Sequence, residues 1–164
     1  RSAQEKLYNM FRPKMLSVVL RYTNDRSQAE DVLNMGFLKC FQKIDKYGFT
    51  GSFEGWLRKI MVHTALDNIR ANENYNDKVV FVEKEEFVAK DHGDKMYYNQ
   101  LLELVNTLPN ITKIVFNLSV MDGLQHKEIA ELLGMSEGTS KWHLCEGRKI
   151  LKEKIERLQL NITQ

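Results

Sequence analysis

Gln125-His126-Lys127-Glu128-Ile129-Ala130-Glu131-Leu132-Leu133-Gly134-Met135-Ser136-Glu137-Gly138-Thr139-Ser140 is the stretch whose reading decides the fold. It predicts a short helix that stops at Gly134, where left-handed backbone carries little steric penalty. Met135 is expected to turn inward and Ser136 to cap a second helix, its oxygen accepting an otherwise orphaned N–H. That helix runs on through Leu144, Ile150, Leu151 and Ile155, and small Ala130 lets the two helices approach closely. The layout is a helix-turn-helix whose second helix places its N-terminal residues in a DNA major groove. The residues expected to lie toward DNA are Ser136, Thr139, Lys141, Trp142, His143, Glu146 and Arg148. Arg148, Lys149 and Lys152 are placed to neutralise phosphates. An ordinary αα-hairpin with a solvated basic face is the alternative.

Upstream, Ile111, Ile114, Val115, Leu118 and Met121 form a helical stripe after Leu108-Pro109, ending near Asp122-Gly123. Three earlier segments also read as helices. The first carries Leu7, Phe11, Leu16, Val19 and Leu20, disturbed by Pro13. In the second, Ser27 is expected to cap with Glu30, ahead of a stripe of Val32, Leu33, Phe37, Leu38, Phe41 and Ile44. Ser52 caps the third, which bears Phe53, Trp56, Leu57, Ile60, Met61, Ala65, Leu66 and Ile69; Trp56 is read as core. Tyr47-Gly48-Phe49-Thr50-Gly51 joins the second and third as a glycine-marked loop. The fold class is all-α, with two helical domains. Two prolines and nine glycines in 164 residues argue against a turn-rich β fold.

The net charge of +2 conceals a partition. Residues 1–70 hold 12 basic against 7 acidic residues, giving +5; residues 71–95 hold 4 against 7, giving −3; the remainder hold 8 against 8. A basic block, an acidic bridge and a neutral block predict two domains and a linker, with boundaries at 1–71, 72–95 and 96–164. Val79-Val80-Phe81-Val82 within the bridge suits either a short strand or plain linker. The acidic bridge has two readings, a contact with a basic channel or a solvated tether.

Other chemistry is not signalled. His63, His92, His126, His143, Cys40 and Cys145 lack zinc-site spacing, so no metal or cofactor is expected. No nucleophile–base pairing is evident, and an enzyme is not expected. Two cysteines make no disulfide framework and favour a reducing compartment, and no apolar run is long enough for membrane insertion. The chain opens at Arg1 without a signal-peptide pattern and reads as trimmed.

Stretches in the first and the last block resemble one family. Gln28-Ala29-Glu30-Asp31-Val32-Leu33-Asn34-Met35-Gly36-Phe37-Leu38-Lys39 resembles region 2.2 of the sigma-70 family. Ser52-Phe53-Glu54-Gly55-Trp56-Leu57-Arg58-Lys59-Ile60, with Asp67-Asn68-Ile69-Arg70, resembles regions 2.3 and 2.4. Leu108 to Leu151 resembles region 4, most densely at Lys127-Glu128-Ile129-Ala130 and Ser136-Glu137-Gly138-Thr139. Nothing resembles regions 1.1 or 3, which is the pattern of an extracytoplasmic-function (group IV) sigma factor. Gly55-Trp56-Leu57 and Thr139-Ser140-Lys141-Trp142 resemble the Bacteroidota branch.

The resemblance implies a cytoplasmic transcription initiation factor. Its partners would be core RNA polymerase (clamp coiled coil and flap), promoter DNA and an anti-sigma factor, which can hold it at the inner membrane. Asp31, Asn34, Met35 and Phe37 fall on the polymerase-contacting region, although Phe37, Leu33 and Phe41 also read as bundle core. Asn34 and Met35 depart from the usual Asp-x-x-Gln-Glu pattern, and Met35 removes an acid. Tyr47 and Phe49 would stack on −10 bases while Arg58, Lys59, His63 and Arg70 track phosphates; His63 stands where many relatives carry Asn. The helix-turn-helix would read the −35 element. A helix-turn-helix regulator with an N-terminal sensing bundle, acting without core polymerase, is the competing function.

Overall fold

In the computed structural model, residues 2–23, 25–71 and 92–162 are described. They form seven α-helices: α1 Ser2–Leu20, α2 Arg26–Gln42, α3 Phe53–Ala71, α4 His92–Asn106, α5 Asn110–Phe116, α6 His126–Leu133 and α7 Glu137–Ile162. Contacts divide the chain into two units, Arg1–Glu85 and Glu86–Gln164. The all-α expectation holds: no strand occurs among the described residues. The Val79–Val82 run lies outside them.

In the first unit α1, α2 and α3 pack against one another in all three pairings. Their core is built from Met15, Val18 and Val19 of α1, Ala29, Val32, Leu33 and Phe37 of α2, and Leu57, Met61, Val62 and Leu66 of α3. Burying each large member contributes roughly 1.5–3 kcal/mol, which makes this contiguous apolar interior the main source of the unit's stability. Pro13 lies inside α1 on its exposed side, so the carbonyl of Asn9, deprived of a helical donor, still faces water. Gly36 of α2 sits directly against the Met61 side chain of α3, a closeness that the missing Cβ permits.

Three expectations are corrected here. The cap of α2 is Asp25, whose carboxylate accepts from the N–H of Gln28 at 2.7 Å. Ser27 therefore lies within the helix. Glu30, expected in a capping box, instead accepts from Arg12 of α1 and Arg26 at 3.1 and 3.2 Å. Leu38 and Ile44, expected in the core, are 50% and 43% exposed. Leu38 sits beyond the edge of the buried stripe, and Ile44 falls in a 3-10 turn, Ile44–Lys46, after α2 has ended. At α3, by contrast, Ser52 does cap, accepting from the N–H of Gly55 at 3.1 Å.

In the second unit α7 is the spine, packed against α4, α5 and α6. The core collects Val105, Leu108, Ile114, Val115, Leu118, Leu124, Ile129, Ala130 and Leu144. Two features differ from the expected pattern. A helix, α4, begins at His92, inside the stretch that reads as bridge, where the sequence pattern predicts none. The stripe from Ile111 to Met121 is not one regular helix: α5 gives way to a π-helical turn, Asn117–Met121, and Ile111 is 42% exposed. Gly123, with φ +72°, ends that turn. A Cβ on Gly147 of α7 would lie 3.1 Å from Thr112 Cγ2 and 3.5 Å from Phe116, so glycine sets the α5–α7 approach.

Candidate nucleic-acid and partner interfaces

The turn between α6 and α7 is held by backbone and side-chain bonds together. Gly134 adopts φ +65°, and the N–H of Met135 reaches the Ala130 carbonyl at 3.0 Å. Ser136 Oγ accepts from the N–H of Thr139 at 3.0 Å and shares a 2.9 Å hydrogen bond with the Thr139 hydroxyl. Met135 is half-buried, turned partly inward. A link invisible in the sequence fastens the two helices: Ser140, fully buried, is hydrogen-bonded through Oγ to His126 Nδ1 at 2.9 Å.

With Ser140, Leu144 and Gly147 turned inward, the opposite side of α7 is exposed at Thr139, Lys141, Trp142, Arg148 and Lys149, and Ser136 is exposed at its start. Trp142 is 59% exposed, unusual for a tryptophan with no partner-binding duty. Lys141 lies 3.8 Å from Glu137, one turn back. His143 does not join this set. Its Nδ1 is hydrogen-bonded at 3.0 Å to the hydroxyl of buried Thr112, which links α7 to α5, and the ring is half-buried. Glu146 is half-buried.

The loop after α2 is an aromatic cluster. The Tyr47 hydroxyl donates to the Gly51 carbonyl at 2.8 Å, closing the loop. The Tyr47 ring stands about 5 Å from those of Phe49, Phe53 and Trp56, and Phe11 of α1 packs on Phe53. Tyr47 is thus engaged within the protein, and the stacking face expected of it is largely covered. Trp56 is half-buried in the cluster rather than in the helical core. Phe49 is the residue presented: it is 86% exposed and holds φ +53°, a left-handed conformation that bulky residues seldom adopt.

On α3, Lys59, His63 and Arg70 share one exposed row with Asp67. Asp67 accepts from Lys39 of α2 and from Arg70, each at 3.1 Å. The His63 imidazole is held below its ordinary range, first by desolvation and then by the surrounding cations, against the pull of Asp67. It stays in the exposed row with Lys59 and Arg70, where its ring nitrogens are open to hydrogen bonding. Arg58 is directed elsewhere. It lies 3.7 Å from Glu54, which accepts from Lys14 of α1 at 2.7 Å. That hydrogen bond from Lys14 is the main cause holding the Glu54 carboxyl below the usual range.

On α2, Asp31, Asn34 and Met35 lie together on the exposed face, and Leu38 joins them. Asn34 is steadied by the Tyr8 hydroxyl, which donates to its Oδ1 at 3.0 Å. Phe37 is 2% exposed and packs on Tyr8 at 4.6 Å, so it is core and not a contact residue. Cys40 is likewise buried, its thiol pushed up to about 11 by desolvation and therefore unreactive. Sequence reasoning missed Leu38 on this face because it resembled one more member of the apolar stripe. It missed Lys39 because nothing local signals a partner on another helix.

Among the described residues no helix is long and apolar enough to cross a membrane, and no group of His, Cys, Asp and Glu is placed to hold a metal. The family models described as Sigma-70 region 2 and Sigma-70, region 4 match residues 7–75 and 98–151, in that order. The ECF RNA polymerase sigma-E factor of Haemophilus influenzae is 23% identical over 93% of this chain and 87% of its own length. The ECF RNA polymerase sigma factor SigW of Bacillus subtilis is 26% identical over 93% and 88%. The fold is similar to that of the sigma factor RpoE of Bartonella quintana, solved in complex with the anti-sigma factor NepR, with a TM-score of 0.62 and 15% identity over 95% of this chain and 98% of that one. Two sigma-70 regions in family order, on two helical units with a formed helix-turn-helix, lead to one assignment: the chain belongs to the sigma-70 family and is an RNA polymerase sigma factor of the extracytoplasmic-function type.

Proposed function

We propose that the exposed faces divide the work of promoter recognition among three surfaces. The α2 face of Asp31, Asn34 and Met35, extended by Leu38, grips core polymerase at its clamp coiled coil; a carboxylate and an amide beside two apolar side chains suit a basic, amphipathic partner helix. Phe49 and the row of Lys59, His63 and Arg70 receive the −10 element as it opens, the ring stacking on an unpaired base and the cations tracking phosphates. Ser136, Thr139, Lys141, Trp142, Arg148 and Lys149 face the −35 element in the major groove. The observation that carries this reading is the orientation of α7: its buried side is spent on Ser140, Leu144 and Gly147, which leaves the start of the recognition helix exposed.

The same reading assigns 1–71 to polymerase and −10 binding, 72–95 to an acidic tether and 96–164 to −35 binding. Tethering both DNA readers to one polymerase multiplies weak contacts through effective concentration, which suits a second domain of zero net charge. The chain acts as an initiation factor and not a catalyst, works in the cytoplasm, and is restrained by an anti-sigma factor that covers the polymerase-binding face, in some states at the inner membrane. The Gly55-Trp56-Leu57 and Thr139-Ser140-Lys141-Trp142 variants support a place in the Bacteroidota branch. The test is a separation of functions: Asp31→Arg abolishes comigration with core enzyme, while Lys141→Ala spares comigration and reduces transcription from −35-dependent promoters. Equal loss of both properties in either variant contradicts the division.

A further inference from the structure

The row on α3 contains a residue that a simple phosphate-binding surface would exclude. Asp67 stands between His63 and Arg70, one helical turn from each, and is 55% exposed at its side chain. Its two oxygens are used separately: Oδ2 accepts from Lys39 Nζ and Oδ1 from Arg70, both at 3.1 Å. Lys39 comes from α2, so the carboxylate draws a cation from a neighbouring helix onto the row. Asp67, Arg70, Lys59 and Lys39 all lie near enough to act on His63, which identifies the five side chains as one electrostatic cluster. Solvent-exposed ion pairs of this kind add little to folding stability. Meanwhile an acid at the centre of a DNA-facing row repels phosphates and occupies two cations that would otherwise bind them. Stability does not account for the arrangement.

We propose that Asp67 is a specificity-determining residue of the −10 surface, holding Lys39 and Arg70 in ion pairs so that the free protein grips nonspecific duplex poorly. This rests on the reading of the α3 row as the −10 surface. The pairs open only where an unpaired strand comes close enough for its phosphates to replace the carboxylate. Lys39 thereby joins Lys59 and Arg70 as a DNA-facing cation, added by geometry alone.

The test uses the full chain and a fluorescent nonspecific duplex over a salt series, with Asp67→Asn, which keeps the shape and removes the charge. Two released cations add up to two phosphate contacts, steepening the log–log salt slope by about 1.8. Between 50 and 200 mM salt the variant then loses about tenfold more affinity than the parent, having started tighter. Asp67→Glu restores the parental slope. Glu5→Gln, the same charge change on an exposed position of α1, leaves the slope within one contact of the parent. An unchanged slope in Asp67→Asn with unchanged thermal stability overturns the proposal, as does an equal effect of Glu5→Gln. Lys59→Ala separates the two levels: if it weakens promoter opening with core enzyme while Asp67→Asn does nothing, only the role of Asp67 falls. If Lys59→Ala has no effect on opening, the −10 surface falls and the role of Asp67 with it.

Discussion

Replacing Gly36 with alanine tests whether the packing of α2 on α3 is as close as described. A Cβ built on Gly36 overlaps the Met61 sulfur and lies 3.0 Å from its terminal methyl. Met61 is fully buried, so its side chain has no solvent side to move into. Two terms oppose each other. Alanine in a helix interior is favoured over glycine by about 1 kcal/mol. Overpacking a filled core costs about 1–3 kcal/mol, and a flexible methionine places this case below the upper end. The net expectation is a loss of about 1 kcal/mol, or a midpoint lower by about 4–8 °C for a unit of this size. The chain has two tryptophans, Trp56 and the exposed Trp142, one in each unit. In a Trp142→Phe background the fluorescence of Trp56 reports the first unit alone. Met61→Ala by itself should cost about 2–5 kcal/mol through the cavity it leaves. Combined with Gly36→Ala it should cost at least about 1 kcal/mol less than the separate effects added, because each change accommodates the other. A raised midpoint for Gly36→Ala, or strict additivity in the pair, would refute the contact.

Other substitutions separate stability from function. Phe49→Gly relieves a left-handed strain of about 1–2 kcal/mol, which offsets the lost ring contact with Tyr47; the midpoint should hold while promoter opening, followed by permanganate reactivity of unpaired thymines, falls sharply. Ser136→Ala removes the cap of α7 and should lower the stability of the second unit by about 1 kcal/mol, read by urea unfolding, together with −35-dependent transcription. His63 gives a pH signature. Its folded value is depressed, so the unfolded chain binds the proton first as pH falls through the ordinary histidine value of 6.5; the stability contribution present above that value is lost below it, until the folded value is passed. His63→Asn should flatten that part of the stability–pH curve of the first unit, and an unaltered curve would remove the histidine from the account.

What the sequence made legible depended on whether a feature was local. Gly134 and Ser136 determine the turn before α7 through their own backbone and side chain, and Ser52 does the same for α3. That Asp31, Asn34 and Met35 share one exposed face of α2 follows from helical spacing. At the start of α2, Asp25 and Ser27 are both competent caps two positions apart, and only the finished helix decides between them. Leu38 and Ile44 looked like core because apolar character does not reveal where a buried stripe ends. His143 sits among basic neighbours on an exposed-looking helix, and its bond to Thr112, thirty-one positions earlier, is not visible in local sequence. Lys39 and Ser140 acquired partners only through tertiary contact, with Asp67 and His126. α4 is masked in the sequence because its start lies beside acidic residues that read as linker.

Reconstituted transcription tests the central claim most directly. Purified core polymerase, with and without this chain, is supplied with a library of genomic fragments and the 5′ ends of the products are mapped. The account predicts new start sites that require the chain, preceded by two shared sequence elements at fixed spacing, and comigration of the chain with core enzyme. No chain-dependent start sites, no comigration, and tight sequence-specific binding by the chain alone would contradict it.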